Sequence, residues 1–322
     1  MQTQKKLLDI LRDKIILKGY SRSTEKTYVY WNREFILFHN KKHPKDMGKD
    51  EIEQFLTFLA REKNVSPTTQ NQAFNAILFL YREVLGIDTS SWNIQALRAK
   101  RKEHLPVVLT KEEVKRIIFQ MNGVYKLMLE LLYGCGLRMN ELLRLRVKDV
   151  DFGYKNLYIW DSKSQKDRVV PLPLKIEDDL KLHIENINII HQEDLAKGFG
   201  YVNLPKGLER KYPNANREFI WQYLFPMKNL SKDPRSGKII RFHILPATFG
   251  RNIKNAVNRA KIPKKVSAHT FRHSYATHML QAGVDIRTIQ QLLGHKDIST
   301  TMIYTHILRD LNKTNLKSPL DF

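Results

Sequence analysis

At 322 residues the chain is long enough for two domains, each with its own core. Hydrophobic residues make up 42% and charged residues 27%, as in an ordinary globular protein, and with no run of eighteen apolar residues no membrane-spanning helix is expected. The single cysteine, Cys135, excludes an intrachain disulfide and suits a reducing compartment, while 55 Lys+Arg against 33 Asp+Glu leave a net charge of +22 that asks for a polyanionic partner such as nucleic acid.

The N-terminus places Asp9 and Asp13 inside an apolar pattern, which reads as an amphipathic helix and not as a signal peptide. Ile52, Phe55, Leu56 and Leu59 then form one helical stripe. Ser66-Pro67 reads as an N-cap followed by proline at the first helical position, and Phe74, Ile77, Leu78, Tyr81 and Leu85 continue at helical spacing. Lys5, Lys6, Arg22, Lys26, Arg33, Lys41 and Lys42 accompany these stripes, so a small helical bundle with a basic face is expected over 1–97. A basic run at 98–104 precedes Leu105-Pro106, where a helix cannot easily continue, so 98–108 reads as a linker.

The second domain, 109–322, opens with Thr110 as a cap answered by Glu113 three residues on. A strongly apolar helical pattern spans 124–146, broken at Gly134-Cys135-Gly136. Residues 156–161 and 168–172 read as two strands of a hairpin, with a polar turn at 162–167. Helical patterns return over 174–190 and 247–260. The stretch 191–246 between them is rich in Gly, Pro and aromatics. Phe219, Trp221, Tyr223 and Phe225 alternate there, so an extended strand would set four aromatics on one face.

Four polar clusters interrupt otherwise apolar segments. They are Gly136-Leu137-Arg138-Met139-Asn140-Glu141-Leu142; Lys163 to Lys166 in the hairpin turn; His269-Thr270-Phe271-Arg272-His273; and Leu293-Gly294-His295 followed by Tyr304-Thr305-His306. Each alone is a weak signal: an arginine after a Gly-x-Gly turn is usually a surface residue, and His269 and His273 at i,i+4 read as helix surface or satisfied core. A zinc-protease helix would need Glu where Thr270 stands, and no cysteine pair exists to bind structural zinc. Gly198-Phe199-Gly200 lacks the third glycine of a dinucleotide site, and no phosphate-cradling GxxxxGK[ST] loop occurs.

In this order and spacing the clusters resemble the tyrosine recombinase (phage integrase) family, over nearly the whole chain. The resemblance implies a mainly α fold with a small β-sheet: a helical N-terminal core-binding domain, then a mixed α/β catalytic domain. It also implies a bacterial, cytoplasmic enzyme that cuts and rejoins DNA without metal, cofactor or ATP. Carried over by position, the family's arginines fall on Arg138 and Arg272, its lysine on Lys163, its histidines on His269 and His295, and its nucleophile on Tyr304; Glu141 matches the supporting acid. The physical demands agree. Attack on a phosphodiester builds negative charge that two fork-shaped guanidiniums can clamp. A tyrosine of ordinary pKa about 10 needs a positive field or a base, and the departing 5′ oxygen needs a proton.

Segment 191–246, with its KYP, WQ, FP and DPR pieces, resembles the extra segment of integron integrases, and the run from Asp285 to Leu308 resembles the corresponding C-terminal run of that subfamily. That resemblance implies a homo-tetramer joining a duplex attachment site to a folded single-stranded hairpin. It makes Trp221, His243 and Pro234 candidates for contact with unpaired bases, while Phe219 and Phe225 read as core. Ile307, Leu308, Leu311 and Leu316 would serve a helix that docks on a neighbouring subunit or on its own domain. A duplex-only recombinase, a DNA-binding relative without catalysis and a type IB topoisomerase are the alternatives.

Overall fold

The computed structural model describes residues 6–95, 106–160, 167–204, 208–233 and 236–312; of these, the side chains of residue 210 and of 306–312 are not described. The chain divides into two compact units, Met1–His104 and Leu105–Phe322.

In the first unit, α1 (Leu7–Leu17), α2 (Arg22–Phe38), α3 (Lys49–Arg61) and α4 (Pro67–Phe79) form the bundle, and α4 runs on into a π-helical turn, Leu80–Leu85. Local chemistry starts these helices. Ser21 and Ser66 each accept a hydrogen bond from the backbone N–H three residues on, satisfying one of the donors that a helix start leaves unpaired. Pro67 occupies the first turn of α4, where its missing N–H costs nothing. The expected stripe of α3 is the buried one: Ile52, Phe55, Leu56 and Leu59 pack with Phe35, Ile77 and Tyr81. Two buried amides tie the helices together, Asn32 donating to the Ala76 carbonyl and Gln70 to that of Leu56.

The second unit opens with α5 (Lys111–Phe119), where Thr110 and Glu113 bond to each other's backbone N–H as a capping box. Then come α6 (Gly123–Gly134) and the short α7 (Met139–Arg144). A three-stranded antiparallel sheet follows in chain order: β1 (Val150–Asp151), β2 (Asn156–Ile159) and β3 (Arg168–Pro171). Leu157 pairs with Val170, and Ile159 with Arg168. The long α8 (Glu177–Ala196) leads to irregular chain holding α9 (Leu208–Lys211) and a two-stranded ribbon, β4 (Ser231–Lys232) with β5 (Ile239–Ile240). The unit closes with α10 (Pro246–Arg259), α11 (Ala268–Gln281), α12 (Ile286–Leu293) and α13 (Ser299–Asn312). Its core joins α5, α6, the inward residues of β2 and β3, α8, α10 and Phe271 of α11. No described helix is long and apolar enough to cross a membrane.

The turn between α6 and α7 is built on Gly136. Its φ is +59°, and a β-carbon there would lie 2.4 Å from the ring of Tyr275. Gly136→Ala therefore combines left-handed strain with a clash against a buried ring. It is expected to cost about 2–4 kcal/mol of stability in urea unfolding. A loss below about 0.5 kcal/mol would mean that the turn relaxes freely.

The four alternating aromatics do not share one strand. Backbone bonds from Trp221 to Glu218 and from Gln222 to Phe219 close a 3₁₀ turn at Phe219–Trp221, and only the residues after it extend, held by Leu224 to Leu145 and Ile244 to Phe225. The aromatics consequently part. Phe219 and Phe225 join the main core, whereas Tyr223 is buried in a smaller cluster with Val202, Leu204 and Ala215, on which Trp221 packs.

Candidate active site

The chain turns that expose Arg138 and His295 bracket a single carboxylate, Glu141. At the third position of α7, Glu141 accepts from the backbone N–H of Arg138 at 2.7 Å, which starts the helix, and from the Arg138 guanidinium at 2.6 Å. Arg168 at the head of β3 reaches it in a fork, with Nη2 at 2.7 Å and Nη1 at 3.1 Å. Arg272 on α11 lies 3.8 Å away. One carboxylate thus stands against three guanidiniums. Burial works against the charged form of Glu141, but hydrogen bonding and charge from Arg168, then Arg138 and Arg272, hold its pKa below the ordinary value. The surplus positive charge is oriented and largely shielded from water, a setting in which it acts most strongly on an anion.

Each arginine is fixed by backbone as well as by charge. Arg272 donates to the carbonyls of Gly136 and Leu293, Arg168 to that of Leu292, and Arg138 to that of Gly294. These carbonyls belong to the turn after α6 and to the C-terminal end of α12, so the three cations stitch both to β3 and α11. Gly294 ends α12 at φ +63°, with the Arg168 side chain 3.1 Å from where a β-carbon would stand. Burial, then the neighbouring Arg138, lowers the Arg272 pKa to about 10, which leaves it charged at neutral pH.

Tyr304 lies on α13, only 2% exposed, against Tyr275, Ala276, Ile289 and Leu293. Its hydroxyl is 3.0 Å from His273 Nδ1. His295 stacks on the Tyr304 ring, and its Nδ1 is 2.9 Å from the hydroxyl of buried Thr301. Burial pushes the Tyr304 hydroxyl up from its ordinary pKa, while Arg272 and Arg138 pull it down. Burial, with Arg272 and Arg138 beside it, lowers His295 to about 3, so it is neutral at pH 7. His269, in the first turn of α11, is solvent-exposed and is lowered by partial burial of its ring, then by Arg272 and Arg138.

Arg138, Arg272, His269, His295, Glu141 and Tyr304 therefore converge on the ends of α7, α11, α12 and α13. Lys163, in the hairpin turn between β2 and β3, lies outside the described residues. Sequence reasoning gave no role to three groups here, Arg168, Thr301 and His273. Arg168 shares a strand face with buried Val170 by the period of two, a signal that it points inward. Thr301 and His273 carried no such signal, because the packing of α13 is what sets them against His295 and Tyr304.

The second group of candidates surrounds Arg146. This guanidinium donates to the carbonyls of Trp221 and Asn203 and lies 4.8 Å from the Tyr223 ring centroid and 5.9 Å from that of Trp221. Lys148 Nζ stands 4.7 Å from Trp221 and 4.5 Å from Trp160, an indole 56% exposed whose N–H donates to Asp149. His243 is buried between Phe242 and Tyr223, with Nδ1 bonded to the Ile244 carbonyl. Trp221 and His243 thus flank one cluster, Trp221 half-buried at its edge and His243 inside it. Pro234 lies outside the described residues, as do Leu316 and the side chains of Ile307, Leu308 and Leu311.

A helical unit followed by a mixed unit whose arginines, histidines and tyrosine gather at one cluster of helix ends defines a class of DNA strand-transfer enzymes. Residues 107–310 match the model of the phage integrase family, and residues 7–91 that of the phage integrase N-terminal SAM-like domain. An integrase/recombinase of Escherichia coli is 44% identical over 98% of this chain and 93% of its own length. The tyrosine recombinase XerA of Pyrococcus horikoshii is 33% identical over 90% of this chain and 85% of its own. Among solved structures, the Tn1549 transposon integrase in complex with transposon right end DNA shares the fold, with a TM-score of 0.63 at 17% identity over 93% of this chain and 94% of that one. The chain belongs to the phage integrase family of tyrosine recombinases and is a site-specific recombinase acting on DNA.

Proposed function

We propose that this chain is an integron-type recombinase, which joins folded single-stranded hairpin sites of gene cassettes to duplex attachment sites as a tetramer on two DNA sites. Tyr304 Oη attacks the phosphorus, the bond to the 5′ oxygen breaks, and a 3′-phosphotyrosine links protein to DNA until the reverse step rejoins the strand. Arg138 and Arg272 hold the non-bridging oxygens as charge builds on them. Glu141 and Arg168 hold those two arginines in place. His269 and His295 complete the phosphate cradle, with Thr301 orienting the His295 ring. Lys163 gives the departing 5′ oxygen its proton.

The observation that carries the hairpin reading is the pair of indoles, Trp160 and Trp221, set around the Lys148 ammonium. A fully paired duplex hides its base faces in the stack, whereas a strand folded on itself offers flipped-out bases. Phosphate contacts alone carry no base information, so a stacking surface is required. Stacking on an aromatic is worth about 1–3 kcal/mol per base. Trp221→Ala is accordingly expected to weaken hairpin binding roughly ten- to a hundredfold and to change duplex binding little. Deleting the extrahelical bases should produce the same loss, and the two losses should not add.

A duplex-only recombinase is the second reading, supported by relatives named XerA at 30–33% identity over 90–94% of this chain. Equal weakening of hairpin and duplex by Trp221→Ala, or indifference to the extrahelical bases, favours that reading over the first.

A further inference from the structure

Trp160 continues β2 at its open end, two residues after Tyr158, and the two rings stack at 19° with centroids 6.5 Å apart. More than half of Trp160 is exposed, so water alone would satisfy its N–H. The N–H donates instead to Asp149 Oδ1 at 2.7 Å, on a residue only 3% exposed. The two oxygens of that carboxylate have separate partners. Oδ2 accepts from the backbone N–H of Arg146 at 2.8 Å and closes the 3₁₀ turn Val147–Asp149. That bond alone serves the turn. Oδ1 is left for the indole and for the Lys148 ammonium, 3.2 Å away, which stands beside both Trp160 and Trp221.

The opposite indole is held from the same turn. Arg146 donates to the carbonyl of Trp221, and the backbone N–H of Val147 donates to that of Gln222. Residues 146–149 therefore fix both indoles, Trp221 through its backbone and Trp160 through its ring nitrogen. The two holds differ in kind. A backbone hold sets where a side chain starts, whereas a bond to the ring nitrogen sets which way the ring faces.

We propose that Asp149 is a positioning residue for base recognition, whose Oδ1 keeps the Trp160 ring in the orientation that receives an unpaired base. The inference rests on the reading that hairpin sites are bound through extrahelical bases. Asp149 acts through the indole and not on DNA itself. An untethered, half-exposed indole turns about its side-chain bonds, and a base that stacks on it must first stop that motion. A ring already fixed loses little freedom on binding, so the carboxylate removes this cost before the base arrives. A paired duplex keeps its base faces inside the stack and gains nothing from the arrangement. Asp149 thereby acts on discrimination between the two DNA forms more than on DNA affinity at large.

Binding of a hairpin site with 2-aminopurine at an extrahelical position, beside binding of the matched duplex, tests this in the full-length protein. Stacking on an indole quenches 2-aminopurine emission, so the probe reports the base itself. Asp149→Asn keeps an oxygen for the Arg146 N–H, which preserves the turn, but sets an amide N–H against the indole N–H. It is expected to weaken hairpin binding about two- to tenfold, the usual cost of immobilising one side chain, and to relieve part of the quenching, with a much smaller loss on the duplex. Trp160→Phe breaks the same bond from its exposed side, where folding is not at stake, and should show at least this loss. In the Trp160→Phe background Asp149→Asn should have no further effect, because the bond it breaks is already gone. An equal loss from Asp149→Asn in both backgrounds, or a loss shared by hairpin and duplex, would make Asp149 a structural residue of the turn and overturn the proposal. Full quenching with normal hairpin affinity in either single variant would overturn it as well. A wild-type protein that neither quenches the probe nor distinguishes hairpin from duplex would instead refute the hairpin reading, and the proposal with it, so the two failures are distinguishable.

Discussion

Tyr304→Phe is expected to bind DNA and to form no covalent adduct. The substitution removes one oxygen and leaves the ring that packs against Tyr275, Ala276, Ile289 and Leu293. Losing the bond to His273 costs about 0.5–1.5 kcal/mol. The fold survives a loss of that size, since domains commonly hold about 5–15 kcal/mol. The chemistry does not, because a phenyl ring has no lone pair to offer phosphorus. Denaturing gels with end-labelled DNA separate the outcomes: free DNA alone is expected, and a protein-linked band would assign the attack to another residue.

Arg138→Ala and Arg272→Ala are expected to lose cleavage far more than DNA affinity, by analogy with the loss of an oxyanion donor at about 3–4 kcal/mol each. The two changes should nevertheless differ. The Arg138 side chain is 32% exposed, so its removal mainly withdraws charge from the site. The Arg272 side chain is 5% exposed and holds the carbonyls of Gly136 and Leu293. Its removal leaves two buried acceptors unpaired and Glu141 with one cation fewer, so stability should fall as well, by about 1–3 kcal/mol for each orphaned group. Single-turnover cleavage measured beside equilibrium binding and urea unfolding resolves these contributions. Parallel loss of binding and cleavage by Arg138→Ala would make that residue a docking group only.

The long basic excess biases the whole molecule toward DNA, but it cannot select a phosphate. In the proposed reaction that selection falls to the arginine cluster, where one carboxylate balances only part of the charge and the backbone carbonyls set the direction of the rest. The same logic explains why Glu141 matters without touching substrate. Replacing it would leave three guanidiniums to repel one another in a shielded site.

Much of this protein was determined by the sequence itself, wherever the physics acts between near neighbours. Ser66-Pro67 and the Thr110–Glu113 box begin helices through bonds three residues long, and the stripe at Ile52, Phe55, Leu56 and Leu59 buries because helical period alone puts it on one face. Arg138, Arg272, His295 and Tyr304 were singled out because their motifs, in this order, resemble those of one family, and the structure brings the four together. Tertiary structure alone decided the partners. Glu141 and Arg168 are 27 residues apart, Arg272 and the Gly136 carbonyl 136, and Arg138 and the Gly294 carbonyl 156. It also chose His273 over His269 to meet Tyr304, since both lie on α11 and only the approach of α13 distinguishes them. Alternation misled at Phe219 to Phe225 for the same reason. A period of two reports a strand only when a neighbouring chain supplies ladder bonds, and here those bonds begin after the 3₁₀ turn at Phe219–Trp221 has turned the backbone.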